Sequence, residues 1–73
     1  MWTTQLLIRN SKEKEDILQV CHDISMKDPT FEYEEAGEYI KIYSETKKQA
    51  WARGNWFYKK LELNYNVMEG VEK

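Results

Sequence analysis

The stretch TKKQAWARGNWFYKKLELNYNVMEGV, residues 46–71, decides the fold. Thr46 followed by Gln49 has the spacing of a capping box, in which the threonine hydroxyl accepts from an orphan amide of the first helical turn and the glutamine reaches back. This predicts a helix opening at Lys47, and no proline interrupts the pattern through Val71. At about 100° per residue, Ala50, Gly54, Phe57, Tyr58, Leu61, Tyr65 and Met68 fall into one stripe. Trp56, Leu63, Val67 and Val71 form a second stripe about 120–140° away, and Lys48, Asn55, Lys59, Glu62 and Asn66 fill the remaining arc. A helix over residues 47–71 would be about 37 Å long, whereas strands of about seven residues span only roughly 23 Å. One stripe covers a sheet. The other is predicted to need the first helix, a second subunit or solvent. Gly54, which costs about 1 kcal/mol of helix propensity, reads as a close-packing point against the sheet.

Upstream, Ile40 and Ile42 alternate with Tyr39, Lys41 and Tyr43, and Phe31 and Tyr33 alternate with Glu32 and Glu34. Period-two alternation marks strands. Between the two, Ala36-Gly37-Glu38 supplies a hairpin turn, since glycine accepts the positive φ that tight turns demand. Residues 2–9 form another alternating run, with Trp2, Thr4, Leu6 and Ile8 on one face and Thr3, Gln5, Leu7 and Arg9 on the other. Asn10 with Glu13 is a second capping box, with Ser11 the alternative cap. Behind it Ile17, Leu18, Val20, Cys21 and Ile24 recur at helical spacing until Asp28-Pro29 stops the helix.

The order is therefore β-α-β-β-α over a single domain, residues 1–73. A right-handed crossover makes the first two strands parallel, and the third inserts between them. The expected fold is an α+β two-layer sandwich: a three-stranded antiparallel sheet, order 1-3-2, with both helices on one face.

A 73-residue chain sits near the lower limit of independent stability, where disulfides, a metal or a partner commonly add support. One cysteine, Cys21, and one histidine, His22, cannot build a disulfide framework or a zinc site within one chain, so a partner is expected. The net charge of −2 disfavours nucleic acid as sole partner. No segment approaches the roughly 20 apolar residues of a membrane span, and the start lacks the basic and apolar regions of a signal peptide. With a free cysteine, these features make the cytoplasm the expected location.

No catalytic constellation stands out, and no cofactor is expected. Cys21 and His22 are adjacent on a helix, so their side chains diverge by about 100° and cannot form a nucleophile–base pair. Glu32, Glu34, Glu35 and Glu38 read as a solvated charged edge that discourages strand pairing between molecules. Gly37, Gly54 and Gly70 make no phosphate-binding loop. Two surfaces remain: the second helix stripe of Trp56, Leu63, Val67 and Val71 as a partner-helix interface, and the outer sheet face of Leu7, Tyr39 and Tyr43 as a dimer interface. Lys47, Lys48, Arg53, Lys59 and Lys60, spread around the second helix, are the candidate contacts to an RNA backbone.

In the order of its elements, in Asp28-Pro29 closing the first helix, and in Asn55-Trp56-Phe57-Tyr58-Lys59-Lys60-Leu61-Glu62-Leu63 with Met68 beyond, the chain resembles the small dimerising subunit of the KEOPS complex, the family of the L antigen and cancer/testis antigens. Ala50-Trp51 stands where that family often has a leucine–arginine pair. The resemblance implies a non-catalytic accessory subunit of the assembly that makes threonylcarbamoyladenosine at position 37 of tRNA. Its helices would dock on the transferase subunit, its sheet side would form a homodimer or a heterodimer with a paralogue, and tRNA would be a partner indirectly. A small RNA-binding module using Tyr39, Tyr43 and the lysines, and a phage-type inhibitor or adaptor that binds a host protein, are the alternatives.

Overall fold

The computed structural model describes residues 1–70. Its elements are β1 (Trp2–Leu7), α1 (Ser11–Lys27), β2 (Glu32–Ala36), β3 (Tyr39–Ser44), α2 (Lys47–Leu61) and β4 (Tyr65–Glu69). Both helices start where their caps are. Asn10 Oδ1 accepts from the Glu13 amide at 2.9 Å, and Thr46 Oγ1 accepts from the Gln49 amide at 3.1 Å. The return bonds land one residue before the cap: Glu13 Oε1 accepts from the Arg9 amide and Gln49 Oε1 from the Glu45 amide. α1 ends at Asp28, whose extended backbone leads into Pro29, and the β2–β3 hairpin turns through Gly37 at φ +62°.

The end of α2 departs from expectation. The helix stops at Leu61, not near Val71, and Glu62 takes the left-handed conformation at φ 56° while its amide donates to Tyr58 O at 2.7 Å. The chain then reverses into β4, which pairs antiparallel with β1, placing Tyr65 opposite Leu6 and Val67 opposite Thr4. The sheet accordingly has four strands in the order β2-β3-β1-β4, all neighbours antiparallel. The expected 1-3-2 order survives inside it, and the expected three-stranded sheet does not. Leu63, Tyr65 and Val67 alternate with Asn64, Asn66 and Met68, a strand's period of two that also satisfies helical spacing over so short a run. The tie is broken by tertiary structure. The outer backbone groups of β1 would otherwise lie on an open edge, and β4 satisfies them.

Because all neighbours are antiparallel, β1 runs parallel to β2 with β3 between them, and β3 runs parallel to β4 with β1 between them. Two interleaved split βαβ units of this kind make the ferredoxin-like arrangement. Both helices lie on one face, over a core of Leu6, Ile17, Cys21, Phe31, Ile40, Ile42, Phe57 and Leu63. The Thr4 hydroxyl donates to Ala50 O at 2.8 Å, fastening α2 to β1 inside that core. Gly54 is the expected close-packing point, against a strand that was not foreseen: a Cβ there would overlap the Tyr65 ring.

Candidate functional site

With α2 ending at Leu61, the surplus apolar stripe has to be reassigned residue by residue. Leu63 is 0% exposed and belongs to the core. Val67 is half-buried in β4, and Val71 lies outside the described residues. Neither Leu63 nor Val67 is on a helix, so they form no partner-helix stripe with Trp56. Trp56 alone stays on α2 and is 43% exposed.

The core side of α2 is Ala50, Gly54 and Phe57, which divides the rest of the helix into two flanks. On the β4 flank, Trp51 meets Tyr65 edge to face with ring centroids 5.7 Å apart, and Tyr58, two turns on, is exposed beside it. On the α1 flank the two helices leave a groove. Its larger part, about 410 Å³, is lined by Ile24, Asp28, Phe31, Ala52, Arg53, Trp56 and Phe57. A continuation of about 270 Å³ shares Ile24 and Trp56 and adds Val20, Asp23, Lys27 and Lys60. Trp56 is the wall common to both, held edge-on to Phe57 at 4.9 Å, with Lys60 Nζ 6.0 Å from its ring.

The groove is framed at one end by Arg53. Its guanidinium donates to Tyr43 O at 2.9 Å and Ser44 Oγ at 3.0 Å, lies 5.1 Å from the Phe31 ring, and reaches Asp28 at 4.0 Å. Hydrogen bonds from the Thr30 hydroxyl and amide, with a smaller pull from Arg53, hold the Asp28 carboxyl below its ordinary value. Asp28 is therefore an anion near neutral pH at the Arg53 end of the groove. At the other end Lys27, Lys60 and Asp23 stand around an open mouth. The sequence reading missed Ile24, Phe31 and Arg53 as groove residues. Nothing local gives the distance between two helices that pack side by side on one sheet.

The open face of the sheet carries Leu7, Tyr39 and Tyr43, as expected. Leu7 and Tyr39 are direct cross-strand neighbours. Tyr43 is only 5% exposed and its hydroxyl donates to Glu34 Oε1 at 3.3 Å, so its ring has little surface left to offer. Burial first, and the Glu34 carboxylate second, push its phenol up from its ordinary value. Glu34 sits opposite Lys41, and Glu32 opposite Tyr43, so acidic groups border the aromatics on which a base would stack.

The basic residues of α2 do not converge. Lys47 lies 5.5 Å from the Trp2 ring, Arg53 is engaged at the groove end, Lys60 stands over Trp56, and Lys48 and Lys59 face solvent. Burial pushes the Cys21 thiol up to about 12, so it is protonated and inert near neutral pH, while His22 next to it is exposed. Among the described residues there is no cluster of three or more potential metal ligands, and no helix long and apolar enough to cross a membrane. The chain matches no family model, no curated protein and no solved structure.

Proposed function

We propose that this chain is a non-catalytic domain that binds a helix of another protein in the groove between α1 and α2, with Trp56 as anchor. Trp56 carries the reading: a large rigid aromatic, nearly half exposed, in the middle of an apolar channel whose floor is Ile24, Phe31 and Phe57. Tryptophans in such settings are the commonest binding hot spots. An amphipathic helix laid in the channel would place its apolar positions, three and four residues apart, against Val20, Ile24 and Trp56. Acidic residues on that helix would meet Lys27 and Lys60. Cys21 is buried and His22 is turned to solvent, so these two form no nucleophile–base pair.

The family resemblance supplies a specific occupant, the transferase subunit of KEOPS, and with it the role of a dimerising accessory subunit in tRNA threonylcarbamoylation. The support for that proposal is now narrower. Asn55-Trp56-Phe57-Tyr58-Lys59-Lys60-Leu61 lies on α2, but Leu63 and Met68 are off the helix, and β4 adds an element to the family's β-α-β-β-α order. An inhibitor or adaptor of a host protein would use the same groove. An RNA-binding module has less support, because the open face pairs its aromatics with Glu32 and Glu34.

The test is calorimetric titration with the purified transferase subunit from the same source, using the wild type and Trp56→Ala. The reading expects binding that weakens at least tenfold in the variant, about 1.4 kcal/mol or more, while the circular dichroism spectrum is unchanged and melting stays cooperative, only at a somewhat lower temperature. No binding by the wild type would remove the KEOPS proposal. A partner bound equally well by Trp56→Ala would remove the groove.

A further inference from the structure

The two edges of the sheet differ in a way that points to a second interface, independent of the groove. In an antiparallel ladder, alternate residues turn both N–H and C=O toward the neighbouring strand and those between turn them away. The Leu7 amide donates to Asn64 O at 3.0 Å and the Gly70 amide to Met1 O at 2.9 Å. By that alternation Asn64, Asn66, Met68 and Gly70 bond inward to β1, and Tyr65, Val67 and Glu69 turn their backbone groups to the outer edge, where no described strand lies. β4 has no proline and no bulge along this edge.

Two edges of one sheet invite self-pairing, and natural edges are usually guarded by charge. β2, EYEEA, is guarded: a two-fold antiparallel pairing about its centre would set Glu34 against Glu34, with Glu32 and Glu35 close by. β4, YNVME, is not. A two-fold pairing centred on Val67 sets Val67 opposite Val67, Tyr65 opposite Glu69 and Asn66 opposite Met68, so no like charges face each other. The parity also fits. Val67 and Tyr65 are outward-bonding residues, so both pairs would exchange N–H···O bonds in both directions. Because the two-fold axis is normal to the sheet, the helical layers fall on the same side. The β4 flank of each α2, with Trp51 49% and Tyr58 51% exposed, then meets its counterpart.

We propose that the β4 edge is a homodimer interface, in which two copies pair antiparallel about Val67 into one continuous eight-stranded sheet with Trp51 and Tyr58 packed across the two-fold axis. This places the dimer contact on the sheet's edge rather than on the open face of Leu7, Tyr39 and Tyr43. One short strand and two aromatics per copy make an interface at the small end of the range, below about 1,200 Å² in total, so the dimer is weak and concentration-dependent.

The test is amide hydrogen exchange by NMR on the full chain at about 20 µM and about 1 mM, alongside sedimentation equilibrium, a range that brackets weak association. The Tyr65 and Val67 amides are expected to gain protection as the dimer fills. Asn66 and Met68 should be protected at both concentrations, and Tyr33 and Glu35 on the β2 edge at neither. Trp51→Glu should raise the dimer dissociation constant at least tenfold. Val67→Pro, which deletes an amide that points away from β1, should remain folded and monomeric; if it unfolds, the amide is needed within the protomer and the proposal fails. A protein still monomeric at about 1 mM, or a dimer whose Val67 amide exchanges equally fast at both concentrations, would overturn it.

Discussion

The two flanks of α2 are built from the same kinds of residue and end in opposite states. Toward β4 the helix carries a glycine, Gly54, and the Tyr65 ring fills the space a Cβ would have taken, so strand and helix close on each other. Toward α1 it carries Ala52, Arg53 and Trp56, and the gap to the neighbouring helix stays open as a groove. Aromatic surface is not scarce on either side. Approach distance differs: a missing Cβ lets one flank seal, and side chains standing between two helices on a common sheet hold the other apart. The closed contact contributes stability within the protomer, and the open groove offers a place for a different protein.

The comparison sets the expected order of mutational effects. Leu63→Asp, which places a carboxylate in the core where the sealed flank begins, should unfold the protein outright, costing more than about 4 kcal/mol; a soluble, cooperatively melting variant would return Leu63 to the surface. Gly54→Val comes next. A side chain driven into the Tyr65 ring should cost about 3 kcal/mol by overpacking, read from the urea midpoint, and Tyr65→Ala in the same background should recover part of it because the two share one space. Trp56→Ala on the open flank should cost about 2 kcal/mol, since nearly half of the side chain is already in water, while losing partner binding. Smallest, and opposite in sign, is Glu62→Gly. Relieving a left-handed non-glycine residue should stabilise by about 0.5–1 kcal/mol, sharpening the turn that delivers β4 to the sealed flank.

How much of this was legible in the sequence follows from the range of the interactions. The caps at Asn10 and Thr46, the stop at Asp28-Pro29 and the turn at Gly37 act over three or four residues, and each stands where its signal is written. The strand faces were nearly as plain, because Ile40 and Ile42 alternate with Tyr39, Lys41 and Tyr43, although Leu6 is followed by the equally apolar Leu7. The end of α2 was not legible. Its terminating residue is a glutamate in a conformation usually taken by glycine, so the ordinary stop signal is missing. The residues that follow suit either element until β1 is there to pair with. A helix wheel drawn through Glu62 placed Leu63 and Val67 beside Trp56 on a surface that does not exist. Trp56 stays on the helix, partly exposed, because it lies before that break.

Everything assigned to the surface depends on the chain leaving the helix at Leu61 and returning along β1. Thr4 and Val67 form a pair whose backbone groups point away from each other, a geometry that brings the two α-protons together. A strong nuclear Overhauser effect between those protons, with strand-like carbon shifts from Tyr65 to Glu69, is the expected result. Helical shifts continuing through Asn66 with no Thr4–Val67 contact would contradict the account.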